Sequence, residues 1–203
     1  MAKKDLKKEL QTLYFPSAKE VSVVDVPPMS FAMVDGVGNP NKSPAFQEAI
    51  GALYGISYTL KFMLKKTTRA DYVVMPLEGL WWTKASGGFD YESPAESWKW
   101  TCMILQPDFV TRAHFKEAAA QLEARKHPPA LSKLRLERFD EGRVVQILHI
   151  GPYAGEKPTI ERLHAHIKEH GHKLAGKHHE IYLGDPRRTA PAKLKTVLRQ
   201  PFR

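Results

Sequence analysis

Four tryptophans fall within twenty residues, at Trp81, Trp82, Trp98 and Trp100. Aromatic faces offer stacking area and attract cations by about 0.5 to 2 kcal/mol each, so the cluster points to a planar apolar or cationic guest. Strand alternation would put Trp98, Trp100 and Cys102 on one face and Lys99, Thr101 and Met103 on the other, letting two indoles form one wall. Any one tryptophan reads equally well as core, but Trp81 and Trp82 are adjacent and cannot both point inward on a regular strand. Near the C-terminus, alternation places His178, Glu180 and Tyr182 on one face and His179, Ile181 and Leu183 on the other. The apolar pair is expected to face a helix, which sends Glu180 and Tyr182 to the opposite face. A carboxyl among aromatics exchanges its proton nearer neutrality, which makes Glu180 the candidate acid or base and Tyr182 or Tyr153 its hydrogen-bonding assistant. Glu78, between Pro76 and Gly79, is a second carboxylate whose irregular strand could aim it into the same site. The ligand-binding set is thus Glu78, Trp82, Trp98, Trp100, Met103 and Tyr153, with Glu180 and Tyr182 as the catalytic pair. The plain alternatives are a solvated Glu180 on an open sheet and an exposed Glu78 at a strand end.

Other signals are weaker. The segment from Gly36 to Ser43 has the glycines of a phosphate loop, but no glycine precedes Lys42 and Pro40 removes a backbone donor. His166 and His170 have helical metal-binding spacing, with His172 nearby, yet lie at a charged helix end where exposed histidines are common. No metal or other cofactor is expected. Lys and Arg total 31 against 22 acidic residues, a net +9 with neutral His. That balance often accompanies nucleic acid. Here Lys193, Lys195, Arg199, Arg203 and the basic N-terminal run read as solvated faces, without a recognisable reader motif. The lone Cys102 excludes an internal disulfide and suits a reducing, cytoplasmic compartment. The N-terminus is charged where a signal peptide needs an apolar run, and nothing approaches the roughly 18 apolar residues of a membrane span. A small molecule is therefore the expected partner.

The elements that must position these residues repeat. Glu20 to Val26 and Ser30 to Asp35 are β-rich and read as a hairpin around Pro27-Pro28. Ser43 and Pro44 then supply an N-cap hydroxyl and a first-turn proline for a helix to about Lys65, with Phe46, Ala49, Ile50, Leu53, Ser57, Leu60 and Leu64 on one stripe. Strands follow over Asp71 to Trp82 and Ser97 to Leu105, joined by a loop from Thr83 to Pro94 that could act as a lid. After an amphipathic helix over about 108–127, stopped by Pro128-Pro129, the order returns. Leu134 to Phe139 and Arg143 to Ile150 are strands, Pro158 opens a helix ending near Gly171, and His178 to Leu183 and Lys193 to Leu198 are the last strands. The fold class is α+β, with two β-β-α-β-β modules at about 20–106 and 131–203 forming a single domain over 1–203. They are expected to dock about a pseudo-two-fold axis, with the site where their sheets meet.

The Gly151-Pro-Tyr153 turn, the Glu180-Ile-Tyr182 strand, the Asp185-Pro-Arg-Arg188 turn and the duplicated order resemble the GyrI-like family of small-molecule-binding domains. The tail from His179 to Pro191 with Lys193 to Leu198 is the more specific signature. The Met75 to Trp82 and Trp98-Lys-Trp100 runs resemble its stand-alone branch, some of whose members are similar to hydrolases that open the cyclopropane ring of DNA-alkylating compounds. Other members resemble passive drug sensors fused to a DNA-binding module, and gyrase inhibitors. The 19 residues before Glu20 are too few for a winged helix. The resemblance implies that Glu180 meets cationic or electrophilic ligands, around which Trp82, Trp98 and Trp100, by their own chemistry, would form an aromatic cage. A cyclopropane conjugated to a dienone gains aromaticity on opening, so the protein need only position water and stabilise charge on the oxygen. The expected function is binding of a hydrophobic aromatic or cationic xenobiotic, extended to cyclopropane hydrolysis. The alternatives are a non-catalytic sequestering or sensing protein and a gyrase-inhibitor-like interaction module.

Overall fold

A computed structural model describes residues 3–83 and 88–203. Residues 84–87, within the expected lid loop, lie outside the described set. Among the described residues, eight strands form one antiparallel sheet: β1 (Ser22–Val26), β2 (Met29–Val37), β3 (Leu77–Trp82), β4 (Lys99–Leu105), β5 (Arg135–Phe139), β6 (Gly142–Ile150), β7 (His178–Tyr182) and β8 (Lys195–Pro201). Their order is β1-β6-β8-β7-β3-β4-β2-β5. Exchanging each strand with the one four places along the chain maps this order onto its reverse, which is the expected pseudo-two-fold, passing between β7 and β3.

The expected first hairpin does not form. β1 pairs with β6 and β2 with β4 and β5. Pro27-Pro28 is the reason: both residues are fixed near φ −65° and lack N–H donors, whereas a two-residue hairpin needs a left-handed residue. The chain therefore crosses to the other half after β1, and again after β5. The two modules exchange an edge strand and share one continuous sheet rather than bringing two sheets together.

Five helices complete the described fold: α1 (Leu6–Glu9), α2 (Gln11–Tyr14), α3 (Pro44–Thr67), α4 (Arg112–Lys126) and α5 (Lys157–Glu169). In α3 the stripe of Phe46, Ala49, Leu53, Ile56, Leu60 and Leu64 is buried as its spacing requires, although the Ser43 hydroxyl makes no capping bond. Phe46 meets Trp81 and Trp100 at ring separations of 5.8 and 5.1 Å, which seats α3 over β3 and β4. α5 buries Ile160, Leu163 and Ile167 against Val145 and Ile147 of β6 and Leu198 of β8. Each such side chain contributes about 1.5 to 3 kcal/mol on leaving water. Both long helices thus lie on one face of the sheet, with the β7–β3 seam between them. Leu13 and Tyr14 of the N-terminal segment are buried in contacts with the other face.

Candidate functional site

At the seam, Gly79 pairs with Glu180 and Trp81 with His178. Alternation from Trp81, which touches α3, puts Leu77, Gly79, His178, Glu180 and Tyr182 on the helix-bearing face. This reverses the expected orientation: Glu180 and Tyr182 point toward the helices, while His179 and Ile181 point to the N-terminal segment. The physical reason is that the underside is polar yet covered, so apolarity did not mark the helix side.

Gly79 leaves the floor bare. A Cβ there would come within 2.9 Å of Trp81 Nε1 and 3.1 Å of Tyr182 Oη. Over this floor the Trp81 indole N–H donates to Tyr182 Oη at 3.2 Å, and the Tyr182 hydroxyl donates to Glu180 Oε2 at 2.7 Å. His178 Nε2 stands 3.4 Å from Glu180 Oε1. The relay fixes the rotamer of Glu180, whose side chain is only 12% exposed. It also commits the Tyr182 proton to Glu180, so this hydroxyl orients the carboxylate instead of reaching toward a guest.

A second carboxyl comes from the start of α5. Glu156 is buried, and desolvation followed by the nearby Glu180 charge pushes its pKa up to about 9, with the Thr196 hydroxyl opposing. Its Oε1 has no hydrogen-bond partner. His149 bonds Thr159 Oγ1 through Nδ1 at 3.0 Å, leaves Nε2 buried and unpaired, and is shifted downward chiefly by burial. The Gly151-Pro-Tyr153 turn acquires a reason here. Gly151 has φ +143°, and a Cβ on it would come within 3.1 Å of His149 Nε2. Tyr153 then sets its ring edge-on to Tyr182 at 5.5 Å. Burial, then Glu156 and Glu180, push its phenol up to about 12.

The aromatic wall differs from the expected cage. Trp98 is in place, 6.1 Å from Trp81, with its N–H donated to the Ser93 carbonyl. Trp100 shares the helix face but is buried behind Phe46, its ring lying over Gly36. Trp82 points to the other face, where Lys177 Nζ sits 3.6 Å from its ring centroid. Met103 and Glu78 also face that side and are fully buried. Glu78 accepts from the Tyr14 hydroxyl at 2.7 Å and lies 3.0 Å from His179 Nε2. His179 Nδ1 is 2.8 Å from Glu141, which also meets Arg199 at 3.3 Å. Burial opposes charge on both groups, but Glu141 and Glu78 raise His179 to about 9, while His179 and Arg199 hold Glu141 low. This buried lattice ties the underside together beneath the seam. The structure therefore brings Glu180, Tyr182, Trp98 and Tyr153 together and takes Glu78, Trp82, Trp100 and Met103 out of the site.

Trp81, His178 and Glu156 are functional candidates that the sequence reading left out of its site set. His178 was legible from its alternation with Glu180. Glu156, two residues before Pro158, has nothing in its local pattern to separate it from any acidic residue near a helix start. His166 and His170 stack at 4.1 Å, and no three His, Cys, Asp or Glu residues among those described converge as metal ligands. No described helix is long and apolar enough to cross a membrane.

The sequence model of the GyrI-like small molecule binding domain matches residues 19–203. The chain belongs to the GyrI-like family. The fold of this GyrI-like domain is shared by an uncharacterized conserved protein from Listeria innocua at 40% identity and TM-score 0.90, over 99% of this chain and 100% of that one. Two further crystal structures from Listeria innocua, described as hydrolases, align at 36% and 37% identity with TM-scores of 0.85 and 0.87. They cover 99% and 100% of the GyrI-like chain, and all of their own length. The C-terminal domain of EcmrR shares the fold at 11% identity and TM-score 0.55, over 91% of this chain and 97% of its own. No curated protein matches the sequence significantly.

Proposed function

We propose that this GyrI-like domain binds an aromatic, hydrophobic or cationic xenobiotic above Gly79 and hydrolyses a strained, electrophilic ring within it, the cyclopropane of a DNA-alkylating compound. The observation that carries the reading is a pair of inward-facing carboxyls in unlike environments. Glu180 accepts a hydrogen bond from Tyr182, whereas Glu156 is buried with an unpaired oxygen and kept protonated near neutrality. With Glu156 held protonated and Glu180 placed as a hydrogen-bond acceptor, the pair divides into acid and base. The two hydrolase-described relatives support an activity of that class.

In the proposed reaction Glu180 takes a proton from water as the water oxygen bonds to the ring carbon. The cyclopropane C–C bond breaks, and its electron pair moves through the conjugated system to the carbonyl oxygen. That oxygen takes the proton from Glu156, giving a phenol, and proton exchange between the two carboxyls restores the starting state. Trp81 and Tyr182 hold Glu180 in one rotamer, so little reorganisation is needed at the moment of attack. Trp81, Trp98 and His178 supply stacking surface. Incubation with a cyclopropane-bearing alkylator, followed by mass spectrometry, tests the reading. Turnover is expected in wild type and a loss of about 100-fold or more in Glu180→Gln. Binding without turnover in wild type would instead favour the sequestering alternative.

A further inference from the structure

Above Glu180 the space between the helices is filled by the chain itself. Phe89 lies nearly parallel to the His178 imidazole, at 5.9 Å and 14°, and also packs on Trp98 at 5.0 Å and Trp81 at 6.5 Å. A ring stacked on one aromatic neighbour and met edge-on or at a tilt by two others has the surroundings of an aromatic guest. Tyr91 packs on Phe89 at 4.4 Å and on His178 at 5.8 Å. Its hydroxyl is buried without a hydrogen-bond partner, in the field of Glu180 and Glu156, which adds to burial in pushing the phenol upward. A buried, unpaired O–H is costly to keep. These side chains fill the volume without completing its hydrogen bonding.

Outside the two rings lies a cavity of about 470 Å³. Asp90, Glu92 and Glu161 line it against Lys157, so its mouth is acidic on a chain of net charge +9. The segment that carries the rings is tied to α5 by an ion pair between Glu92 and Lys157, both more than half exposed. Exposed pairs of this kind hold weakly.

We propose that Phe89 and Tyr91 occupy the ligand's place, and that the ligand displacing them is a flat aromatic cation with a hydrogen-bond donor at its inner end, admitted through the acidic cavity when the Glu92–Lys157 pair opens. This rests on the binding half of the function proposed above. The rings of the ligand take the aromatic partners of Phe89, and its donor reaches Glu156 Oε1, which the Tyr91 hydroxyl leaves without a partner. Because the free chain must first expel its own rings, the observed affinity is the intrinsic one multiplied by the fraction of open chains.

The test uses 9-aminoacridine, a planar cation with an amino donor, titrated by fluorescence anisotropy. Phe89→Ala/Tyr91→Ala should bind about tenfold or more tightly than wild type, and Lys157→Ala should shift in the same direction by less. Anthracene-9-carboxylate, a three-ring anion of similar shape, should bind both at least about tenfold more weakly, as the acidic lining requires. A folded double variant that binds no better than wild type would make the rings walls of the site and overturn the proposal. Should that variant fail to fold, Lys157→Ala decides: tighter binding supports displacement and unchanged binding refutes it. Tighter binding by the double variant together with ring opening that is indifferent to Glu180→Gln would uphold self-occupancy but sink the catalytic assignment. No binding by any form would overturn both.

Discussion

His179 gives the underside of the sheet a measurable pH signature. Its two ring nitrogens lie 3.0 Å from Glu78 and 2.8 Å from Glu141. These carboxylates outweigh burial and raise the imidazole to about 9, against 6.5 for a free side chain. At about 1.4 kcal/mol per pH unit, this gap corresponds to about 3 kcal/mol. The folded state binds the proton more tightly, so the contribution is complete below pH 6.5 and disappears as pH rises through 9. Glu156 acts with the same sign, because its folded pKa of about 9 lies above 4.5, but its loss begins two pH units lower. Urea denaturation at intervals from pH 4.5 to 10 separates the two. Wild type should lose stability up to about pH 9; His179→Gln should be flatter only above pH 6.5, whereas Glu156→Gln should be flatter from pH 4.5 upward. Stability that holds or rises between pH 6.5 and 9 in wild type would refute the doubly bonded, charged His179.

Gly79→Ala should cost about 1 to 3 kcal/mol, read by thermal or urea unfolding, and should abolish aromatic ligand binding, since its Cβ would press on Trp81 and Tyr182, which are themselves held in place. Trp81→Phe keeps an aromatic surface but removes the N–H bonded to Tyr182; kcat should fall more than KM rises in steady-state turnover. Glu156→Gln should remove the alkaline limb of the pH–rate profile near pH 9 while Glu180→Gln lowers the rate across it, a division that steady-state kinetics from pH 5 to 10 would show.

The sequence carried the helices and the duplication well. Phe46, Leu53, Leu60 and Leu64 recur at helical spacing and are buried in α3, because a helix stripe follows from local periodicity. Strand pairing was not local in this sense. β1 and β2 are adjacent in sequence but lie at opposite sides of the sheet, and only the stereochemistry of Pro27-Pro28 signalled the crossing. The face of Glu180 was misread because Glu78, Glu141, His179 and Arg199 satisfy one another in a buried lattice. Ion pairing made a polar face into an interior one, and no alternation pattern distinguishes it from a solvated surface. Trp82 and Trp100 illustrate the same limit: adjacency and alternation placed them near the site, but the packing of Phe46 and Lys177 took both out of it.

Glu180 is proposed to activate a water molecule for attack on a ring held above Gly79. Ring opening in ¹⁸O-labelled water, followed by mass spectrometry, addresses this most directly. Wild type should deliver one labelled oxygen to the ring carbon, and Glu180→Gln should lose nearly all of that labelled product while still binding the compound. An opened product without label, or labelled product formed equally fast by Glu180→Gln, would contradict the account.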